Sequence, residues 1–337
     1  MILDTLMSKM LPAIETDLHR NVRHLERAGT QMFHEMLTYH MGWTGPGAGP
    51  EATGKRIRPL LVLLTCAACS GEWLAALPAA SCVELIHNFS LVHDDIQDGS
   101  DVRRGRPTVW KKWGIAQAVN AGDVLFILSH IALSEIEKDF PAQVAQQISG
   151  VINQACLSLS TGQFLDISFE QQAELTIEDY WTMVSGKTAA LLSACTTSGA
   201  LLGAADEAQQ ESYRSFGHYL GLAFQVQDDY LGIWGDSALT GKSTESDLVA
   251  GKKSLPVLFG LSKNGPFAKR WIEGHINPDE AVSLSELLAL EGAKLYTQNN
   301  VDQMTDLALQ SLRAAEPTGE AGEALYELAN KLLVRQA

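Results

Sequence analysis

Two aspartates near the end of an apolar segment are spaced for metal chemistry. The segment AASCVELIHNFSLVHDDIQD covers residues 79–98 and predicts a helix, with Asp94 and Asp98 one turn apart. Two like charges in that arrangement repel, and negative charge opposes the dipole at the C-terminal end of a helix. Mg2+ prefers oxygen ligands and bridges carboxylates to phosphates, so a divalent cation would remove this penalty. The simpler alternative is a solvated acidic helix end.

The residues around this aspartate pair favour an anionic ligand. Glu84 and His87 lie on the same predicted helical stripe as Asp94, although a lone histidine there is also typical of core or capping roles. Arg103 and Arg104 follow within a few residues. Guanidinium groups bind phosphate oxygens in pairs, so metal ions and arginines together would hold a phosphorylated ligand from two sides.

A second acidic segment occurs much later in the chain. In FGHYLGLAFQVQDDYLGIW, residues 216–234, Gln225, Asp228 and Asp229 fall on one face of a predicted helix. Gly221 and Gly232 lie along roughly the same stripe and would leave room for a bulky ligand. Each of the basic residues that accompany these segments could alone be a solvated surface charge, but together they indicate a cavity for two anionic groups. These basic residues are Lys55, Arg58, Lys187, Lys242, Lys252 and Lys253.

Composition limits the class of protein. The 337 residues include 46% hydrophobic residues and carry a net charge of −15, which excludes a disordered chain and argues against nucleic acid as a partner. Five cysteines indicate a reduced, cytoplasmic setting. The N-terminal 20 residues lack the features of a signal peptide, and the longest apolar run, Leu60–Ala68, is about half of the ~20 residues needed to cross a bilayer. We therefore expect a soluble protein without a transmembrane segment.

The hydrophobic pattern is helical throughout. It predicts one large all-α domain over residues 1–337, with irregular loops at Gly42–Gly54 and Gly235–Gly251. The main predicted helices are 2–36, 57–70, 75–98, 114–137, 141–168, 177–203, 207–234 and 252–263.

Taken in order, these motifs resemble the trans-polyprenyl diphosphate synthase family. The resemblance covers residues 54–256, some 200 residues. The ordered set of motifs is far more specific than any single motif in it. It comprises GKRIRP (54–59), ELIHNFSLVHDDIQD (84–98), RRGRPT (103–108), AGD (121–123), GQFLD (162–166), GKT (186–188), FQVQDD (224–229) and GKKSLP (251–256).

The resemblance implies an all-α helical bundle of the isoprenoid synthase type around a central cavity, assembled as a homodimer. The implied reaction joins isopentenyl diphosphate to an allylic diphosphate (dimethylallyl, geranyl or farnesyl). Asp94 and Asp98 would hold two Mg2+ ions and Asp228 a third. The allylic diphosphate would also be bound by Arg103, Lys187, Lys242 and Lys252.

The remaining residues carried over by the resemblance concern the second substrate and the reacting carbon. Positions that hold the diphosphate of isopentenyl diphosphate are matched by Lys55, Arg58, His87 and Arg104. Thr188 and Gln225 match residues that line the reacting carbon, and the roles of Gln163 and Asp166 stay open.

One position departs from the family pattern. The second motif reads DDYLG, so Gly232 replaces the usual fifth-position aspartate, and Asp236 one turn later could compensate through water. The string DDYLGIWGD resembles some bacterial geranylgeranyl diphosphate synthases, which favours an active variant.

Product length in this family depends on bulky side chains below the first motif. Phe89 lies five residues before Asp94, about 7.5 Å along the helix, next to the small Ser90. This pattern resembles the type that forms the C20 product geranylgeranyl diphosphate. Ordinary core packing of Phe89, a farnesyl product and products of C25 or longer stay open.

Two other classes of protein are alternatives. A class I terpene cyclase or head-to-head synthase also uses aspartate-rich helices and Mg2+ but would leave GKRIRP and the Arg103–Arg104 pair unexplained. A non-catalytic regulatory subunit usually loses one acidic motif, whereas both are present here apart from Gly232.

Overall fold

The computed structural model describes residues 1–172, 174–235 and 246–333. In this part of the chain the regular structure is almost entirely helical, which confirms the predicted all-α class. The α-helices are Ile2–Val22, Gln31–His40, Pro50–Thr53, Ile57–Ser70, Leu77–Gln97, Val109–Trp113, Ile115–Ser134, Ala142–Gln171, Ile177–Val184, Ala190–Leu202, Glu207–Trp234, Ser246–Val249, Leu255–Ser262, Pro266–Ile272, Pro278–Leu290, Ala293–Ala314 and Gly319–Leu333.

Shorter elements connect these helices. Three are 3₁₀ turns at Arg23–Leu25, Leu74–Ala76 and Glu135–Lys138, and one is a π-helical turn at Ser185–Ala189. Strands Val102–Arg103 and Arg106–Pro107 pair antiparallel, with Arg103 opposite Arg106, and form a small hairpin that we call the arginine hairpin.

The chain divides into two compact units. The first contains Met1–Ile152, Cys195–Gln210 and Pro317–Leu325, and the second contains Asn153–Ala194, Glu211–Glu316 and Tyr326–Ala337. The single domain over residues 1–337 stays a prediction.

The core of the first unit is built around Leu77–Gln97, which we call the first acidic helix. It packs against Ile57–Ser70, Ile115–Ser134 and Ile2–Val22. In Ile57–Ser70 the residues from Leu60 to Leu64 are all fully buried, because this helix is surrounded on every side and is apolar all round. The apolar run seen in the sequence is therefore a core helix.

The second unit contains most of Glu207–Trp234, which we call the second acidic helix. One core cluster joins its Leu222 and Val226 to Tyr180, Leu255 and Val301. Another cluster joins its Ile233 to residues further along the chain, namely Leu248, Val257, Phe267, Ile276, Ala281, Leu284, Leu288 and Ala293. The carboxylates of this helix are thus fixed by apolar packing on two sides.

The predicted helix over residues 2–36 is interrupted. The first helix ends at Val22 and the next begins at Gln31. Gly29 adopts a φ of +88°, which only glycine tolerates easily, and the Thr30 hydroxyl donates to the Leu25 carbonyl at 2.6 Å and the Arg27 carbonyl at 3.0 Å. The signal for this break in the sequence was Gly29 followed by Thr30, whose hydroxyl satisfies carbonyls at the end of the helix.

Two helical segments of the first unit have the length and composition of membrane spans. They are Leu74–Gln97 and Ile115–Lys138, within the part of the chain that the structure describes. The apolar window of the first is 72% buried inside the protein and that of the second 39%. Burial inside the fold is typical of a core helix, so length and composition alone are weak evidence for a membrane span.

Candidate active site

The first acidic helix ends inside the aspartate motif. Its last helical residue is Gln97, and Asp98 is the C-cap, whose backbone N–H donates to the Asp94 carbonyl at 2.8 Å. Asp94 is half-buried and Asp98 is exposed, whereas Asp95 between them is 2% exposed. The helix therefore presents the first and last aspartates of the motif to solvent and turns the middle one inward.

Asp95 forms a buried ion pair with Arg103 of the arginine hairpin. Arg103 Nε lies 2.8 Å from Asp95 Oδ1 and 3.0 Å from Oδ2, and Arg103 Nη2 lies 2.8 Å from Oδ1. Burial raises the pKa of the Asp95 carboxyl, and the Arg103 charge acts in the opposite direction. The sequence predicted Arg103 as a cation for the substrate, but the structure gives it a carboxylate partner on the protein.

The turn of the hairpin carries Arg104. Arg104 and Gly105 both have positive φ, +51° and +72°, as in the type I′ turns that suit two-residue hairpins. Arg104 Nη1 donates to the Ala52 carbonyl at 2.8 Å, so the hairpin tip is tied to the segment that leads into GKRIRP. Arg106 is buried instead and donates to backbone carbonyls, at 2.9 Å to Tyr39, 2.6 Å to Thr44 and 3.0 Å to Pro46.

The basic residues of GKRIRP have three different environments. Lys55 is exposed. Arg56 is buried between Glu15 and Glu84, with Nε 2.6 Å from Glu15 Oε1 and Nη1 2.7 Å from Glu84 Oε1. Arg58 is half-buried, burial lowers its pKa, and its Nε makes no hydrogen bond within the described residues. Sequence reasoning missed Arg56, because a buried arginine cannot be told from a surface one by type alone.

Arg58, His87 and Arg104 come together in the first unit. Burial, followed by the charges of Arg58, Arg104 and Arg103, lowers the pKa of His87 well below its ordinary value, so the imidazole is neutral near pH 7. His40 belongs to the same cluster and was missed from the sequence. Burial and nearby arginines lower its pKa to about 3, and its Nε2 is buried with no hydrogen-bond partner in the part of the chain described.

This cluster has an excess of positive charge. Glu84 and Asp95 are engaged with Arg56 and Arg103. Among the described residues, Arg58 and Arg104 have no carboxylate within salt-bridge distance. A half-buried guanidinium with an unused N–H, next to neutral imidazoles, is an environment that favours binding of an anion.

The second acidic helix also separates two adjacent aspartates. Asp229 is buried and accepts hydrogen bonds from Tyr180 Oη at 2.7 Å, Gln225 Nε2 at 3.0 Å and the Leu255 backbone N–H at 3.0 Å. Burial raises its pKa to about 7, although these hydrogen bonds lower it. Asp228 is half-buried, and no salt bridge or side-chain hydrogen bond joins it to another described residue.

Lys187 and Thr188 lie in the π-helical turn Ser185–Ala189, within a segment predicted as a continuous helix. A Cβ at Gly162 would lie 2.1 Å from the Lys187 backbone nitrogen, so the two helices touch there only because residue 162 has no side chain. Lys187 forms an ion pair with Asp166, four residues after that glycine. Single π turns are frequent at functional sites, since they change the direction of a few side chains.

Thr188 and Gln225 are joined directly. Thr188 Oγ1 donates to Gln225 Oε1 at 2.9 Å, and Gln225 Nε2 in turn donates to the Asp229 carboxylate. The two residues predicted to line the reacting carbon are therefore held in one hydrogen-bonded chain. Gln163, from the same motif as Asp166, is buried.

The two lysines of GKKS are not equivalent. Lys252 has a 64% exposed side chain with its Nζ 3.7 Å from Asp247 Oδ1. Burial lowers its pKa, but the carboxylates of Asp247, Asp229 and Asp228 outweigh this effect and raise it overall. Lys253 instead donates to the backbone carbonyls of Phe169 at 2.6 Å and of Gln172, and so caps the helix Ala142–Gln171. Lys242 and Asp236 lie outside the described residues.

Gly232 is covered by a carboxylate that sequence reasoning did not single out. A Cβ at this position would lie 2.2 Å from Asp247 Oδ2. Asp247 lies in the short helix Ser246–Val249 and is 9% exposed. No spacing rule connects residues 232 and 247, so the sequence offered no signal for this contact.

Phe89 contributes to a group of aromatic rings behind the first motif. Its ring centroid is 5.1 Å from that of Phe126 and 5.0 Å from that of His93, and Phe126 is 4.7 Å from His130. Ser90 is buried and donates to the His87 carbonyl at 2.8 Å. The structure therefore places Phe89 within a two-helix aromatic layer, with Phe126 and His130 as members not identified from the sequence.

The donor set fits a hard divalent cation that is only partly ligated by protein. No group of three His, Cys, Asp or Glu side chains able to hold one metal ion occurs among the described residues. The candidates are the carboxylates of Asp94, Asp98 and Asp228, all oxygen donors that are exposed or half-buried. Mg2+ is usually bound by one or two carboxylates and completed by water and substrate phosphates, which agrees with these residues.

Comparison with known proteins identifies the family. Residues 49–288 match the polyprenyl synthetase family. The chain is similar to a geranylgeranyl diphosphate synthase of Mycobacterium tuberculosis, with 41% identity over 253 residues, which is 74% of this chain and 70% of the relative. It is also similar to a (2E,6E)-farnesyl diphosphate synthase of Mycobacterium bovis, with 36% identity over 316 residues, which is 90% of this chain and 86% of the relative.

Solved structures give the same result. A polyprenyl synthetase from Streptomyces coelicolor has a TM-score of 0.87 and 32% identity, covering 98% of this chain and 100% of that one. A geranylgeranyl pyrophosphate synthetase from Pyrococcus horikoshii has a TM-score of 0.89 and 30% identity, covering 99% and 98%. These relatives favour a prenyltransferase over the terpene cyclase and the non-catalytic subunit. The chain belongs to the polyprenyl synthetase family and is a trans-prenyltransferase.

Proposed function

We propose that this trans-prenyltransferase condenses isopentenyl diphosphate head-to-tail with an allylic diphosphate and releases geranylgeranyl diphosphate. Homologous prenyl diphosphate synthases imply the two substrate classes, and the C20 length of the product is the proposal. The observation that carries it is the aromatic layer behind the first motif, where Phe89 and Phe126 pack with ring centroids 5.1 Å apart. A chain that grows along the first acidic helix would meet these rings about 7.5 Å beyond Asp94.

Isopentenyl diphosphate is assigned to the cationic cluster of the first unit. Arg58, Arg104 and Lys55 would bind its diphosphate, with His87 as a neutral hydrogen-bonding partner. Support comes from the unused Arg58 Nε and from the absence of a carboxylate partner for Arg58 and Arg104 among the described residues. Guanidinium groups suit this role because they bind two phosphate oxygens at once.

Magnesium is assigned to Asp94, Asp98 and Asp228. The family is generally magnesium-dependent, and we propose three ions, two held by Asp94 and Asp98 and one by Asp228. Bound magnesium would stabilise the negative charge that develops on diphosphate as the allylic C–O bond breaks. The protein contributes the carboxylate oxygens and keeps Asp95 and Asp229 out of this role by engaging them in hydrogen bonds.

The remaining cations marked by the sequence motifs assist the allylic diphosphate. Lys252, whose exposed side chain also pairs with Asp247 at 3.7 Å, is assigned to this role, and Lys242 is assigned to it from the sequence alone. Arg103 and Lys187 each have a carboxylate partner, so they would share their charge between that partner and the substrate. Thr188 and Gln225, held in one hydrogen-bonded chain, would orient the reacting end of the allylic substrate.

The chemistry needs no nucleophile from the protein. Loss of diphosphate leaves an allylic cation, the double bond of isopentenyl diphosphate attacks it, and a proton then leaves to the released diphosphate. Apolar surroundings protect the cation from water. We expect no covalent intermediate with the enzyme.

Farnesyl diphosphate is the second candidate product. The relative named a farnesyl diphosphate synthase aligns with 90% of this chain, against 74% for the geranylgeranyl diphosphate synthase, although its identity is lower.

We further propose a cytoplasmic homodimer that acts without nucleic acid and without a membrane-spanning segment. The acidic net charge supports the exclusion of nucleic acid. Exposed apolar side chains along Ile115–Ser134, four or eight residues apart, support a protein partner: Ile115, Val119, Ile127 and Ile131.

Product analysis tests the proposal. The purified enzyme is incubated with Mg2+, radiolabelled isopentenyl diphosphate and each of the three allylic primers, and dephosphorylated products are separated by chain length. A C20 product from all three primers is expected. A product that stops at C15 would establish the farnesyl alternative, and no incorporation with any primer would overturn the assignment of both substrates.

A further inference from the structure

We infer that Glu15 is a positioning residue for isopentenyl diphosphate, and that it acts by holding Arg56 in place. Glu15 lies in the helix Ile2–Val22, before residues 49–288 that match the polyprenyl synthetase family. The inference rests on the proposed binding of isopentenyl diphosphate by the basic residues of GKRIRP on either side of Arg56. It gives the N-terminal helix a part in substrate binding.

Arg56 has an unusual backbone conformation between two proposed substrate ligands. Its φ of +50° and ψ of +38° lie in the left-handed region, which residues with a side chain rarely adopt. It immediately precedes the helix Ile57–Ser70, at a position where extended backbone is usual. Lys55 comes before this turn and Arg58 belongs to the first turn of the helix. The conformation of Arg56 therefore decides how these two cations are oriented relative to each other.

Two carboxylates fix the Arg56 side chain, which is 2% exposed. Its Nε donates to Glu15 Oε1 at 2.6 Å, and its Nη1 donates to Glu84 Oε1 at 2.7 Å. The contacts of Nη2 are longer, at 3.4 Å to Glu15 Oε2 and to the Met41 carbonyl. Because Glu84 Oε1 also accepts from Asn88 Nδ2 at 3.0 Å, Glu15 is the acceptor that serves the Nε edge of the guanidinium. Loss of Glu15 would leave a buried N–H without its acceptor.

Glu15 also binds the start of the glycine-rich segment that leads to Arg56. Its second oxygen, Oε2, accepts a hydrogen bond from Trp43 Nε1 at 2.8 Å. The Trp43 ring stacks on His19, one turn further along the helix from Glu15, with ring centroids 3.7 Å apart. One carboxylate therefore holds both ends of residues 43–56, a segment in which frequent glycine makes a fixed shape entropically costly.

Arg56 connects this segment to the first acidic helix as well. Its partner Glu84 lies one helical turn before His87, another proposed ligand of isopentenyl diphosphate. The two ion pairs of Arg56 thus relate GKRIRP to the helix that carries His87. Without Glu15, Arg56 would keep one anchor, and the turn that orients Lys55 and Arg58 could shift.

The charges make the sign of the effect informative. Arg56 and its two carboxylates, Glu15 and Glu84, sum to one negative charge, so this group adds no positive charge to the cationic cluster. Removal of Glu15 takes away a negative charge near the proposed diphosphate site, and Coulomb's law alone would then strengthen the binding of an anion. A positioning role predicts weaker binding instead, because displaced guanidinium groups lose their paired contacts with phosphate oxygens.

Steady-state kinetics of the full-length enzyme, with each substrate varied in turn, tests this role. Glu15→Ala is expected to raise KM for isopentenyl diphosphate about 10-fold, while kcat and KM for the allylic primer stay within about threefold of the wild type. Glu15→Gln keeps the size of the side chain and one acceptor oxygen, so it should raise the same KM about threefold. The glutamine variant decides the question by the sign of the change even where the alanine variant is too unstable to assay.

Asp17→Ala is the matched control for packing of the same helix. Asp17 also joins the helix Ile2–Val22 to the first acidic helix, through a hydrogen bond of 2.6 Å from Ser81 Oγ. Its other hydrogen-bonding partners within the described part of the chain are Asn21 and Arg20, outside GKRIRP. Asp17→Ala should therefore lower the melting temperature and keep the wild-type KM for isopentenyl diphosphate.

A double-mutant cycle tests whether Glu15 acts through Arg56. Glu15→Ala combined with Arg56→Ala should raise KM for isopentenyl diphosphate no further than Arg56→Ala alone, because the second change removes the group that Glu15 holds. Rises that multiply in the double variant would contradict this route.

The outcomes separate this inference from the proposed function. A raised KM for isopentenyl diphosphate in Arg58→Ala, with an unchanged or lowered KM in both Glu15 variants, would overturn the positioning role and leave the proposed site intact. Equal rises in Glu15→Ala and Asp17→Ala would also overturn it, since helix packing would then explain both. A wild-type KM in Arg58→Ala would overturn the proposed site and this inference with it.

Discussion

Arg103 and Asp95 form an ion pair that joins the arginine hairpin to the first acidic helix. Three contacts of 2.8 to 3.0 Å connect the guanidinium to both oxygens of a carboxylate that is 2% exposed. The motif D-D-x-x-D therefore contains two kinds of aspartate. Asp95 fixes the hairpin that carries Arg104, while Asp94 and Asp98 keep their carboxylates at the surface of the helix end.

This difference predicts opposite effects on stability for neighbouring substitutions. Asp95→Asn leaves the Arg103 charge without its partner, and we expect it to lower the free energy of unfolding by about 1–3 kcal/mol. Asp94→Asn removes one of two like charges and should leave the stability of the metal-free protein unchanged or slightly higher. Urea unfolding of both variants measures this, and equal destabilisation of the two would contradict the division of roles.

The outward aspartates should control turnover rather than folding. Asp94→Ala or Asp228→Ala is expected to lower kcat by about 100-fold or more, because charge developing on diphosphate would lose part of its stabilisation. Circular dichroism should show an unchanged helix content. Steady-state kinetics with an allylic primer and isopentenyl diphosphate measures the effect, and kcat within tenfold of the wild type would remove the aspartate from the reaction.

Phe89 should limit product length. Phe89→Ala removes a ring from the aromatic layer with Phe126, so the growing chain could extend further and products longer than those of the wild type are expected. Chromatography of dephosphorylated products measures the distribution. Leu290→Ala, at a side chain that is 85% exposed, is the control and should keep the wild-type products.

The contrary result for Phe89 is equally clear. If Phe89→Ala lowers the melting temperature but leaves the product distribution unchanged, the ring is ordinary core packing. The catalytic assignments would be unaffected by that outcome.

His40 predicts a pH dependence of stability. Burial and the charges of Arg103, Arg104 and Arg56 lower its pKa to about 3 in the folded protein, whereas the unfolded chain has the ordinary value near 6.5. The unfolded state therefore takes up a proton first as the pH falls, and the folded state loses stability between about pH 6.5 and pH 3. This loss is absent above the unfolded pKa.

The variant His40→Gln isolates this contribution. Between pH 7 and pH 5 the wild type is expected to lose up to about 2 kcal/mol through His40, and the variant should lose correspondingly less. Urea unfolding at both pH values gives the difference. His87 adds a loss of the same sign in both proteins, since its pKa is also lowered. Parallel pH profiles for wild type and variant would show that His40 titrates alike in both states.

Much of the helical architecture was predictable because it depends on local pattern. The helix at 57–70 was predicted with the observed ends, and that at 207–234 likewise. The break after Val22 and the π turn at Ser185–Ala189 were not predicted. The helix break depends on Gly29 and Thr30. The π turn depends on contact with Gly162 in a distant helix, and the local hydrophobic period does not reveal such a contact.

The candidate site was predictable in residue type but not in pairing. The sequence marks aspartates and arginines as one set, yet their partners are separated by many residues. Asp229 accepts a hydrogen bond from Tyr180, which is 49 positions away in the sequence. Lys253 donates to backbone carbonyls that are more than 80 positions away. Which charged group is held by the protein and which stays available is a property of tertiary contacts, so only the structure separates them.

The ion pair of Arg56 with Glu15 has a consequence for choosing where to trim this enzyme. The family match begins at residue 49, yet Glu15, in the helix Ile2–Val22, neutralises an arginine two positions before Arg58. A fragment cut to the matched boundaries would leave Arg56 with Glu84 alone and would expose the face of the first acidic helix that Ile2–Val22 covers. Minimal versions designed from sequence homology should therefore keep residue 2 onward to preserve the cationic cluster that we propose binds isopentenyl diphosphate.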